Sequence, residues 1–167
     1  MKVLVAGVGN VLRGDDGFGV AVAHRLQELD LGDSVRVIET GIGGIHLVQE
    51  MFDAFDALVV IDAVDRGREP GTVMVIQPEV DDVDALPRLA RWDFLADMHY
   101  TKPASALMLA KALKVLPGHF VMVGCQPSDA ERVGQGLSPK VEEAVGVAVE
   151  EVRRIVAELL AEPDQRR

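Results

Sequence analysis

Apolar positions along this chain fall into short unbroken runs separated by stretches with a helical period. Residues 3–6 form such a run, closed by Gly7, the pattern of a strand buried on both faces. Residues 17–29 then place Val22, Leu26 and Leu29 on one side of a helix. A second strand is predicted over 35–38, ended by Glu39-Thr40-Gly41, and Gly43-Gly44 opens a helix through Met51. The run over 57–61 is the most strand-like in the chain, and Asp62 stands at its end. Residues 72–76 and 120–123 predict a fourth and a fifth strand. Between these two, residues 103–116 predict a helix, with Pro103 at its first position and Pro117-Gly118 beyond its end. A last helix is predicted from the N-cap residue Ser138 to about Ala161. Its stripe is Val141, Val145, Ala148, Val152, Ile155 and Leu159. Residues 78–98 show no strong period, so no element is expected there.

One connection decides a strand direction. Residues 64–71, between strands three and four, are fewer than the dozen or so that a parallel crossover needs. Strand four is therefore expected to run antiparallel, at an edge. The other strands alternate with helices and can be parallel. The expected architecture is a three-layer α/β/α fold around a mixed five-stranded sheet.

Composition narrows the function. The chain has 167 residues, which suits one domain over 1–167, and 49% hydrophobic with 26% charged residues is a globular balance. Acidic residues outnumber basic ones 27 to 17, for a net charge of −10, which disfavours nucleic acid and anionic membrane as partners. A single cysteine, Cys125, excludes an internal disulfide framework and a multi-cysteine zinc site. No apolar run reaches the ~18 residues of a membrane span. The apolar start leads into Arg13-Gly14-Asp15-Asp16 rather than a small-residue cleavage site, so a buried strand is expected there, not a signal peptide. A cytoplasmic location is expected.

Open α/β sheets place their sites beyond the carboxyl ends of the parallel strands. Asp15 and Asp16 follow strand one, Asp62 ends strand three, and His99 precedes the helix that feeds strand five. Carboxylates and an imidazole converging on one rim suit a divalent metal such as nickel or zinc. Each has a plainer reading. An aspartate favours a helix start, an aspartate after a strand favours a turn, and a lone histidine is commonly solvated. His24, His46 and His119 lack acidic company in the sequence and are read as structural. Cys125 is read as a small buried residue. The loop Gly7-Val8-Gly9-Asn10-Val11-Leu12, with Glu39 ending strand two, admits a dinucleotide-binding enzyme, although Leu12 takes the third glycine's place. Paired aspartates, Asp62 and Lys102-Pro103 admit a phospho-acceptor domain, although the acidic pair lies too far beyond strand one.

Residues 7–20, Gly-Val-Gly-Asn-Val-Leu-Arg-Gly-Asp-Asp-Gly-Phe-Gly-Val, resemble the opening signature of the hydrogenase maturation endopeptidases. The resemblance continues through Thr40-Gly41-Ile42-Gly43-Gly44, Val60-Ile61-Asp62-Ala63, His99 with Ala106-Leu107, Gly124-Cys125-Gln126-Pro127 and Gly136-Leu137-Ser138-Pro139. It implies a sheet of order 2-1-3-5-4. It implies an aspartyl-type endopeptidase that cuts the C-terminal extension from a nickel–iron hydrogenase large-subunit precursor. Asp16, Asp62 and His99 would then be both catalytic and metal-binding, with Asp16 where the family commonly has glutamate. Asn10, Gly41 and Gly43 would contact substrate, and Asp15 and Asp97 would be auxiliary acid/base candidates. Nickel would come with the substrate, no tightly bound resident cofactor would be needed, and the enzyme would act as a monomer. A non-catalytic nickel-binding maturation chaperone on the same scaffold is the alternative.

Overall fold

The computed structural model describes residues 1–96 and 103–161. Five strands form one sheet of order β2-β1-β3-β5-β4, from β1 (Val3–Val8), β2 (Val35–Gly41), β3 (Ala57–Ala63), β4 (Val73–Ile76) and β5 (His119–Cys125). The β1–β2, β1–β3 and β3–β5 pairs are parallel, and β4 pairs with β5 antiparallel, as the short 64–71 connection requires.

Side chains alternate faces along each strand, so the two unbroken apolar runs feed two cores. Val3, Val5, Val59 and Ile61 meet α1 (Phe18–Gln27) and α5 (Pro139–Ala161) on one face. Leu4, Ala6, Leu58 and Val60 meet α2 (Gly44–Met51) and α4 (Pro103–Ala112) on the other. Every position of the α5 stripe named above is buried. Each fully buried Leu or Ile here contributes about 1.5–3 kcal/mol, and truncating one to Ala costs about 2–5 kcal/mol. The first turn of α1 lies directly on the sheet. A Cβ on Gly19 would sit 2.1 Å from the Ile61 carbonyl oxygen and 2.3 Å from that of Val8. Only glycine permits this approach, and it brings the start of α1 to the ends of β1 and β3.

The structure differs from the sequence reading at element ends and in one helix. β1 and β2 run further than expected because their ladder continues from Val3↔Val35 to Val8↔Gly41. α4 stops at Ala112, short of residue 116, because Lys114 turns left-handed (φ 59°) and the Ala110 carbonyl takes the Val115 and Leu116 N–H groups instead. A helix, α3 (Arg88–Ala96), occupies part of the stretch where no element was expected. It is short, follows the acidic stretch of Asp81, Asp82 and Asp84, and leaves Leu89 exposed, so the apolar spacing of Leu89, Trp92, Leu95 and Ala96 is a weak signal in the sequence.

Candidate active site

The carboxyl rim of β1 and β3 is built by a backbone that only glycine allows. Gly9 has φ +136°, and a Cβ there would lie 1.8 Å from the Asp16 carbonyl oxygen. The loop after β1 therefore folds back on the 3-10 turn Gly14–Gly17 that leads into α1. Asn10 N–H donates to Asp16 Oδ2 at 2.9 Å, and Asn10 Oδ1 accepts the Leu12 N–H at 2.9 Å. The neighbouring loop joins in: Gly9 N–H donates to the Gly41 carbonyl at 3.1 Å, and Gly43 N–H to the Thr40 carbonyl at 2.9 Å. Of the expected substrate contacts, Asn10 thus borders the turn that carries Asp16, Gly41 meets it through Gly9, and Gly43 is held by Thr40 on the neighbouring loop.

Asp15 and Asp16 leave that turn in different directions. Asp15 is 1% exposed. Its carboxylate accepts the backbone N–H groups of Ser128 (2.8 Å), Asp129 (2.9 Å) and Ser138 (2.6 Å), and the Ser138 hydroxyl (2.9 Å). Burial pushes its pKa up, but these four donors outweigh burial and hold it below the ordinary value of 3.8. A buried carboxylate so engaged has no free oxygen for a substrate proton. The auxiliary acid/base role expected for Asp15 does not fit this geometry. Asp15 ties the 128–138 loop to the rim.

Asp16 is half-buried, with the Asn10 N–H on one oxygen. Asp62, also half-buried, ends β3 and accepts its neighbour Ala63's N–H at 2.8 Å. Burial pushes the Asp62 carboxyl up, the nearby charge of Asp16 pushes it further, and the Ala63 N–H only partly opposes them. Its pKa stands at about 7. Two carboxylates face one rim at an electrostatic cost, and a cation or a shared proton relieves it. Among the described residues no set of three His, Cys, Asp or Glu side chains gathers as a metal site. His99 and Asp97 lie outside the described residues.

A cleft of about 400 Å³ opens at Asp62, between the start of the β3–β4 connection and α4. Another, of about 490 Å³, lies at the amino end of β5, by His119 and Arg154, away from Asp16 and Asp62. Cys125 is buried beneath the rim. Burial first, and the charge of Asp15 second, push its thiol up to about 11 against the Gly71 N–H, so it is no ready nucleophile.

Two histidine readings are corrected. His24 Nε2 lies 2.5 Å from Glu39 Oε2, because α1 packs beside β2, and His46 lies 3.5 Å from Glu50, one helical turn on. Both have acidic company that spacing alone did not reveal for His24. Both pairs are solvent-facing. One rim residue carried no expected role, Gln126. It is 5% exposed, and its side chain holds the 65–68 turn. The available signal was a glutamine between a strand end and Pro127, a polar group placed where backbone donors must be met.

Known proteins share this arrangement. The hydrogenase maturation protease (HycI) family model matches residues 20–155. The hydrogenase expression/formation protein HupD of Bradyrhizobium diazoefficiens is 33% identical over 158 residues, covering 94% of this chain and 79% of that protein. HoxM of Azotobacter vinelandii is 35% identical over 162 residues, covering 96% and 73%. The hydrogenase maturating endopeptidase HybD from E. coli superposes with a TM-score of 0.76 at 27% identity, over 95% of this chain and 94% of that one. A hydrogenase 2 maturation peptidase from a Thaumarchaeota archaeon gives 0.66 at 32% identity, over 93% and 98%. A sheet of this order, a glycine-built rim and matches that run nearly end to end place the chain in one group: it belongs to the hydrogenase maturation protease family, and it is a peptidase.

Proposed function

We propose that this protein is a cytoplasmic, monomeric endopeptidase that removes the C-terminal extension from a nickel–iron hydrogenase large-subunit precursor once nickel is installed. Nickel is then part of the substrate, and no resident cofactor is required. One observation carries the reading: Asp16 and Asp62 share the rim, and the Asp62 carboxyl is pushed up to about 7 by burial and by Asp16.

That donor set fits a divalent cation. Two oxygen ligands from separate loops leave coordination positions open, as a site that receives its metal inside another molecule needs. His99 completes the set in this reading. A bound divalent ion supplies Lewis-acid chemistry toward a carbonyl or water. The chain's own contribution is anchoring and proton handling. Asp16 is fixed by the Asn10 N–H and presents its other oxygen to the rim. Asp62 can take up or release a proton near neutral pH, which suits aspartyl-type general acid–base work, with Asp97 as an auxiliary group. The rim loops also expose Val11, Leu12, Ile42 and Val133, an apolar border suited to a polypeptide. The dinucleotide alternative is disfavoured: the Asn10 N–H, which would face a pyrophosphate, is already given to the Asp16 carboxylate.

The test is incubation of the purified protein with nickel-loaded and nickel-free precursor, followed by mass spectrometry. Loss of a C-terminal fragment from the loaded precursor alone is expected. Binding without any mass loss would point to the chaperone alternative, and equal cutting of both precursors would remove nickel from the recognition.

A further inference from the structure

The buried carboxamide of Gln126 has every polar group in use. Oε1 accepts the backbone N–H groups of Arg66 (2.7 Å) and Arg68 (3.1 Å), while Nε2 donates to Asp65 Oδ1 (2.9 Å) and to the Pro127 carbonyl (3.4 Å). Its backbone holds the other end of the same connection, donating to the Thr72 carbonyl and accepting from the Gly71 N–H, each at 2.9 Å. Thus one residue just beyond β5 pins the β3–β4 connection along most of its length. That connection starts two residues after Asp62. Its Val64, Asp65 and Arg66 form one wall of the cleft that opens at Asp62, opposite Leu107 and Met108 of α4. Arg66 and Arg68 have no regular secondary structure to hold them, so the Gln126 carboxamide stands in for a strand partner.

Resting on the peptidase reading of Asp62, we propose that Gln126 is a positioning residue for substrate: it fixes the 65–68 turn as the wall against which the precursor's tail lies beside Asp62. The wall does no chemistry. Loosening it costs binding and leaves the chemical step alone.

The experiment measures precursor cleavage by wild type, Gln126→Ala, Gln126→Glu and a double variant that combines Asp65→Asn with Gln126→Glu, with precursor binding titrated alongside. Gln126→Ala is expected to raise KM about tenfold with kcat nearly unchanged, the mark of lost binding rather than lost chemistry. Gln126→Glu sets a carboxylate against Asp65 and is expected to bind as poorly. In the double variant the amide introduced at position 65 can donate to the carboxylate introduced at position 126, at the loss of the Gly67 N–H bond that the same Asp65 oxygen accepts, and KM is expected to recover partly towards wild type. Hydrogen exchange at the Arg66 and Arg68 amides should speed up in Gln126→Ala and slow again in the double variant. Unchanged KM and binding in folded Gln126→Ala, or no recovery in the double variant, overturns the proposal while the peptidase reading stands. A wild type that neither cuts nor binds precursor overturns both.

Discussion

Asp15 turns into the loops that lead to α5 and takes four hydrogen bonds from Ser128, Asp129 and Ser138, whereas Asp16, the next residue, lies on the rim with Asp62. The first region is an electrostatically satisfied tie. The second is a like-charge pair that draws on the Asn10 and Ala63 N–H groups, one for each carboxylate. The contrast teaches how a fold supports a costly site. Donors from a distant loop are spent on Asp15, which anchors the turn, and that anchored turn holds Asp16 near Asp62. Stability and reactivity are thus assigned to neighbouring residues of one chemical type.

The sharpest way to break this comparison is to remove the rim pair. Asp16→Ala and Asp62→Asn should each lower precursor cleavage about 100-fold or more, the scale of a lost proton-transfer or anchoring group, with melting temperature held or raised. A variant that still cuts at near wild-type rate would take that residue out of the site. Asp15→Ala should do the reverse in thermodynamics. It orphans three backbone N–H groups, and at about 1–3 kcal/mol each, softened by water entering the loop, the loss is roughly 3–5 kcal/mol by denaturant unfolding. If Asp15→Ala were as stable as wild type yet inactive, the two aspartates would have to exchange roles.

Acidity separates the regions next. The folded pKa of Asp62 lies near 7 against 3.8 unfolded, so the folded state holds the extra proton between those values. The stability this lends is complete below about pH 4 and is lost as pH rises through 7. Asp15 is shifted the other way. Its contribution is present above 3.8 and is lost as pH falls through its lower folded value. Asp62→Asn should therefore gain about 4 kcal/mol over wild type at pH 8 and less than about 1 kcal/mol at pH 4, while Asp15→Ala should approach wild type only in strong acid. Thermal melts across pH 3–8 read both; an Asp62→Asn advantage that did not grow with pH would contradict the raised carboxyl. The smallest expected effect belongs to Cys125→Ala. Cleavage should persist, and the trimmed core should cost about 1 kcal/mol, since the thiol is buried and held up near 11. A folded, inactive Cys125→Ala would move the chemistry to sulfur and dissolve the contrast between the aspartates.

Local pattern determined the scaffold. Unbroken apolar runs required strands covered on both faces, the α5 stripe required a helix on that sheet, and the short 64–71 segment required β4 to reverse. Each is a property of neighbours along the chain, where covalent geometry and burial act directly. The positions of Asp62 at the end of β3 and of Asp16 in the loop beyond β1 were legible for the same reason, and the length of the rim signature made the family resemblance legible too. Where the signal was short, as in the nine residues of α3 behind an acidic stretch, the element was not legible. Only the tertiary structure decided which aspartate of the adjacent pair meets solvent, because that depends on donors more than a hundred residues away in Ser128, Asp129 and Ser138. It likewise decided that Gln126 holds the 65–68 turn, and that His24 meets Glu39 across α1 and β2. Hydrogen bonds and charge pairs between distant segments exist only after the layers have packed, and no periodicity along the chain encodes them.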